Sequence, residues 1–105
     1  MVKHVTSAEL EELVATSNQP VVCDFWASWC GPCRMLAPVF EEVSKQYEGK
    51  AVFVKVNVDE EESAAYKYGI SSIPNVLVFK DGQKVDGSLD FVPAAVLSQL
   101  VDRNL

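Results

Sequence analysis

Cys30 and Cys33, two cysteines with two residues between them, are the side chains whose types and spacing point most directly to chemistry. A pair so close can close a small disulfide ring and reopen it as a dithiol. It lies in Trp29-Cys30-Gly31-Pro32-Cys33, where an apolar run (Val21 to Ala27) gives way to a helical pattern (Pro32 to Tyr47). A helix that begins there aims unsatisfied backbone N–H groups and its positive dipole end at the sulfurs. That field favours thiolate over thiol, and the thiolate is the form that attacks disulfides. Cys30, at the helix entrance, is the expected nucleophile. Cys33, inside the first turn and more easily buried, is the expected resolving thiol. Pro32 restricts the helix entrance to one geometry and so keeps the sulfurs at bridging distance. The pattern predicts thiol–disulfide exchange.

A CxxC pair can also be half of a zinc site, but a structural zinc takes four ligands. Only Cys23 and His4 remain to supply them, and Cys23 lies within an apolar strand, so no metal is expected. Three cysteines do not make the framework of a disulfide-rich domain either. A bridge across two residues constrains the unfolded chain very little, so chemistry is the better reason for it. Cys23 reads as a small packed hydrophobe and His4 as a structural residue of the first strand.

Asp24 interrupts the apolar run just before the pair. A carboxylate buried there without a partner would have a raised pKa; one that reached water at a strand end would not. The buried reading makes Asp24 a general base that takes the Cys33 proton, through water, when a mixed disulfide resolves. Lys55 is another charge in an apolar strand, either close to Asp24 or extended to the surface. Trp29 is expected to shield the pair, and Trp26 to pack in the core beside Asp24.

These side chains need a scaffold, and 105 residues are enough for one domain, residues 1–105, with a core of its own. The net charge of −6 argues against nucleic acid or an anionic membrane as partner, and no apolar stretch is long enough to span a bilayer. The first residues lack the apolar segment of a secretory signal, so a cytoplasmic monomer is the expectation. Strands are predicted at Val2–Val5, Val21–Ala27, Ala51–Val58, Asn75–Phe79 and Gln83–Asp86, the last two joined at Lys80-Asp81-Gly82. Helices are predicted at Ala8–Thr16 with Ser7 as N-cap, Pro32–Tyr47 kinked at Pro38, Glu61–Tyr68 ended by Gly69, and Ala94–Arg103 with Pro93 at its first position. The order βαβαβαββα predicts an α/β fold, a mixed five-stranded sheet flanked by four helices.

With the pair placed between the second strand and its helix, the whole chain resembles the thioredoxin family. The resemblance rests on Asp24-Phe25-Trp26-Ala27-Ser28-Trp29-Cys30-Gly31-Pro32-Cys33, Pro38, Lys55, Ile73-Pro74 and Lys80-Asp81-Gly82, in order and at the family's spacing. It implies the thioredoxin fold and a Cys30–Cys33 disulfide that reduces disulfides in client proteins. It also implies that Lys55 tunes Asp24, that Pro74 is cis, and that Trp29, Ile73 and Pro74 contact substrate around the Trp29-Gly31-Pro32 motif. Electrons would come from NADPH through a thioredoxin reductase. The chain has no dinucleotide-binding glycine pattern and is expected to bind no cofactor itself. Because another protein would recharge its oxidised form, it is expected to be an electron carrier with oxidoreductase activity rather than a self-contained enzyme. Cys23, Asn75 and Asp90 depart from the family's usual residues. Asp90 stands where a glycine is typical, which bears on how partners approach. Two rival classes use the same fold. An oxidase or isomerase would show a higher reduction potential, and a binding module would keep its activity without either cysteine.

Overall fold

The computed structural model describes residues 2–105. Apolar, β-branched segments form the strands β1 (Val2–His4), β2 (Val21–Trp26), β3 (Val52–Asn57), β4 (Asn75–Lys80) and β5 (Gln83–Leu89). They make one sheet in the order β1-β3-β2-β4-β5. β3 runs parallel to both β1 and β2, whereas β4 is antiparallel to β2 and β5 to β4. Parallel neighbours cannot be joined by a tight turn, so helices carry the crossovers. Thus α1 (Ser7–Thr16) joins β1 to β2 and α2 (Gly31–Gln46) joins β2 to β3, whereas α3 (Glu62–Lys67) leads to the antiparallel β4 and α4 (Ala94–Asp102) follows β5. The predicted element order and mixed sheet are both present.

β2 lies at the centre, and its two-residue alternation divides the core. Val22 packs with Leu36, Phe40 and Val43 of α2 and with Leu97 and Leu100 of α4. Val21, Cys23 and Phe25 pack on the other face with Leu10 and Val14 of α1 and Ala64 of α3. Removing a large apolar side chain from water in this way contributes roughly 1.5–3 kcal/mol each. Cys23 is fully buried as a small hydrophobe, and desolvation, with Asp24 adjacent, pushes its thiol pKa well up. Asp24 shares the parity of Val22, which turns it toward the face that α2 covers. Lys55 shares the parity of Phe53 and turns the same way.

Several boundaries differ from the sequence expectation. Thr6, not Ser7, caps α1: its hydroxyl accepts from the Glu9 N–H and the Glu9 carboxylate accepts from the Thr6 N–H. Ser7 instead serves α3, its Oγ accepting from the Ala64 N–H at 3.1 Å. In return, the Ser7 N–H donates to Glu61 Oε1 at 2.7 Å. Each helix thus fills an orphan N–H of the other. Pro93 is the N-cap of α4 rather than its first residue, and β5 continues past Asp86 to Leu89. Pro38 sits within α2, which continues on both sides of it.

Candidate active site

β2 ends at Trp26, and α2 begins at Gly31, with four residues between them. Cys30 is the N-cap of α2, with extended backbone, and Gly31 and Pro32 occupy the first two helical positions. Proline is at home there because the N–H it lacks would have no helical partner. Cys30 and Cys33 are joined as a disulfide with their Cα atoms 5.2 Å apart. The Cys33 N–H, an orphan donor of the first turn, points at Cys30 Sγ from 3.2 Å. Backbone dipole and helix end therefore converge on the same sulfur. Cys33 is more deeply buried than Cys30, and Ala27, Val58 and Ile73 close around the ring.

Across the ring lies the segment before β4. The Ile73–Pro74 peptide bond is cis, and the Ile73 carbonyl oxygen is 3.8 Å from Cys30 Sγ. The local residues mark only a turn here, and it was the family resemblance that implied the cis bond. The approach of the chain beside the sulfur emerges from β4 pairing with β2, since Phe25 opposes Asn75 in that register.

Trp29 is 68% exposed beside the ring, and its Nε1 donates to Asp59 Oδ2 at 2.8 Å. Asp59 was missed from sequence. It begins the run Asp59-Glu60-Glu61-Glu62, which by composition is merely a solvated stretch, and it meets Trp29 only because β3 lies beside β2. Arg34 was missed likewise; its Nη1 donates to the Ser28 carbonyl at 3.0 Å.

Asp24 is completely buried, and among the described residues neither carboxylate oxygen has a hydrogen-bond partner. Lys55 Nζ comes to 4.0 Å from Asp24 Oδ2, an ion-pair distance but not a hydrogen bond. It also lies 4.7 Å from the centroid of the Trp26 ring, so indole and carboxylate share one ammonium group. Burial pushes the Asp24 pKa up from 3.8 to about 6, against the opposing pull of the Lys55 charge. Trp26 is only partly buried, with His4 edge-on to its ring at 5.7 Å, so it bridges core and surface beside Asp24. Of the two expectations for Lys55, the structure adopts the one that brings it to Asp24. His4 and Cys23 do not converge with the pair. Among the described residues no group of three or more His, Cys, Asp or Glu side chains is arranged to hold a metal.

A mixed sheet that delivers a closed CxxC ring to the start of a helix, with a near-neutral buried carboxyl on the same face, defines a thiol–disulfide oxidoreductase. Residues 1–103 match the Thioredoxin family model. Thioredoxin 1 of a Nostoc species is 52% identical over 96% of this chain and 94% of its own length. The chloroplastic M-type thioredoxin of Pisum sativum is 49% identical over 97% of this chain and 59% of its own. A solved Plasmodium falciparum thioredoxin superposes with a TM-score of 0.89 at 41% identity, covering 98% of this chain and 99% of that one. The chain belongs to the thioredoxin family. Through its Cys30–Cys33 pair it is a protein-disulfide reductase and electron carrier.

Proposed function

We propose that the reaction proceeds in two exchanges, with Cys30 attacking first. Its thiolate attacks one sulfur of a client disulfide; the client's other sulfur leaves as thiolate, and a mixed disulfide forms. Asp24, as carboxylate, then takes the Cys33 proton through a water molecule. Cys33 Sγ attacks Cys30 Sγ, the client's second sulfur leaves, and the ring closes with two electrons passed to the client. What supports this order is the Cys33 N–H aimed at Cys30 Sγ at the start of α2, which stabilises negative charge on Cys30. A carboxyl titrating near pH 6 changes charge where a general base is useful. Lys55 holds Asp24 from rising further.

The remaining residues position partners. Gly31 and Pro32 set the helix entrance, and Trp29, Ile73 and Pro74 form the surface on which an extended client segment lies across the ring. Two electrons return from NADPH through a flavoprotein thioredoxin reductase, and the chain works as a monomer in a reducing, cytoplasm-like compartment without a bound cofactor. Among the described residues no helix is long and apolar enough to cross a membrane.

Insulin reduction with NADPH and a panel of thioredoxin reductases tests activity and donor together. Turnover with at least one reductase is expected, and none with any of them would remove the proposed donor. In the same assay Cys33→Ser accumulates a covalent client adduct on Cys30 and stops turning over. If the adduct forms instead on Cys33 in Cys30→Ser alone, the order of attack is reversed.

A further inference from the structure

Among the described residues two that are not glycine hold a positive φ, Asp81 at 54° and Asp90 at 66°. Asp81 is explained by its place in the Asp-Gly turn that joins β4 to β5. Asp90 is in no hairpin turn. It follows the last residue of β5, and its N–H donates to the Pro74 carbonyl at 2.9 Å. Ile73, the residue before Pro74, places its carbonyl oxygen 3.8 Å from Cys30 Sγ. A residue in the left-handed region, uncommon outside glycine, is therefore fastened to the segment that borders the disulfide. Positions of this kind gather where a site needs a side chain it could not otherwise present.

The Asp90 side chain is exposed, and among the described residues it makes no ion pair or hydrogen bond. Two charged side chains beside Trp29 and Cys30 are engaged locally. Asp59 accepts from Trp29, and Arg34 donates to the Ser28 carbonyl. Asp90, fastened through its backbone to Pro74, has no ion-pair partner among the described residues.

We propose that Asp90 is a specificity-determining residue that favours client disulfides flanked by Lys or Arg and slows attack on those flanked by Asp or Glu. This deepens the reading of Ile73–Pro74 as the client-binding segment and rests on it. A client strand laid across that segment brings the residues beside its attacked cysteine close to Asp90. Unit charges several ångströms apart across a wet interface change a rate severalfold, and reversing the client's charge compounds the effect. The protein's net charge of −6 also draws cationic clients, without regard to position. Asp81 separates the two causes. It carries the same charge and backbone class, but the length of β4 puts it about 20 Å from Pro74. That is well beyond the roughly 8 Å screening length at physiological salt.

The test uses three disulfide peptides of one sequence whose attacked cysteine is flanked by Lys, Gln or Glu. Rate constants are measured for the reduced full-length protein and for Asp90→Asn, Asp90→Lys and Asp81→Asn. Asn tolerates the left-handed backbone as Asp does, so Asp90→Asn changes charge and little else. The wild-type Lys-to-Glu rate ratio is expected at about three- to tenfold, falling as salt rises. Asp90→Asn brings it toward one, Asp90→Lys inverts it, and Asp81→Asn leaves it as in wild type. A ratio unmoved in Asp90→Asn, or moved equally by Asp81→Asn, overturns the proposal. Failure of the wild type to reduce even the Gln peptide would instead overturn the underlying reading of the site.

Discussion

Asp24 and Asp86 are carboxylates in one sheet with opposite surroundings. Asp86, on β5, accepts from Arg103 Nε at 2.8 Å, Asn104 Nδ2 at 2.8 Å and its neighbour Gly87's N–H at 2.8 Å. These donors hold its pKa well below the usual carboxylate range, with the Arg103 hydrogen bond the largest cause. Asp24, at the centre of β2, has no hydrogen-bond donor among the described residues and one ammonium group at 4.0 Å. Its pKa rises to about 6 because desolvation outweighs that charge. A carboxylate saturated with donors is fixed in its charge and serves as an anchor, here tying the residues after α4 to β5. One deprived of donors keeps the ability to change charge near neutrality, at a cost in stability. Chemistry is placed where satisfaction is withheld.

The largest effect should come from removing the withheld charge. The folded pKa of Asp24 lies above its unfolded value, so the native state binds the extra proton between about pH 4 and pH 6. Its ionisation therefore costs nothing below about pH 4, grows through pH 6 and is constant above. Asp24→Asn should raise stability by about 3 kcal/mol at pH 8 and by nothing near pH 4, as read from urea denaturation at both values. The same variant should slow release of the client from the mixed disulfide at least tenfold and flatten its pH dependence around pH 6. A stabilised variant that resolves at the wild-type rate would leave Asp24 a buried charge without a role.

At the anchoring end the effects are smaller and touch stability alone. A Cβ added to Gly87 would meet the Val76 carbonyl at 3.0 Å and Leu77 Cδ2 at 3.2 Å, and the first of these is backbone that cannot swing aside. Gly87→Ala should destabilise by about 2 kcal/mol in urea titration, and an unchanged midpoint would mean that β4 and β5 separate freely. Asp86→Asn should be milder, because Arg103 is exposed and water screens the pair. A Tm lower by about 4 °C at pH 7 is expected. The folded pKa of Asp86 is depressed, so its contribution is present above about pH 4 and is lost as pH falls. The deficit of the variant should accordingly shrink in acid, and a deficit that grew there would reverse the assignment of charge.

Much of the architecture was legible because its signals are local. The β-branched runs, the helical stripes and the Asp81-Gly82 turn each depend on residues within a few positions of one another. Where local signals competed, the wrong one could be chosen. Thr6 and Ser7 are both capping hydroxyls, but only Thr6 has Glu9 at the spacing of a capping box, so that correction was available in the sequence. The end of β5 was not. Gly87 and Ser88 have poor strand propensity, and they are extended because they pair with Leu77 and Val76.

The sequence by itself determined the reactive pair, the order of the elements and the helix start that polarises Cys30, because spacing and periodicity act over a few residues. Only the tertiary structure decided the environment of each charge. Lys55 could have reached water, but β3 beside β2 sets it against Asp24 and Trp26. Asp59 could have been a solvated acid, but it meets Trp29. Asp90 is fastened beside the disulfide by its bond to Pro74. Burial, partner distance and field belong to residues far apart in the chain, and folding alone brings them within reach of one another.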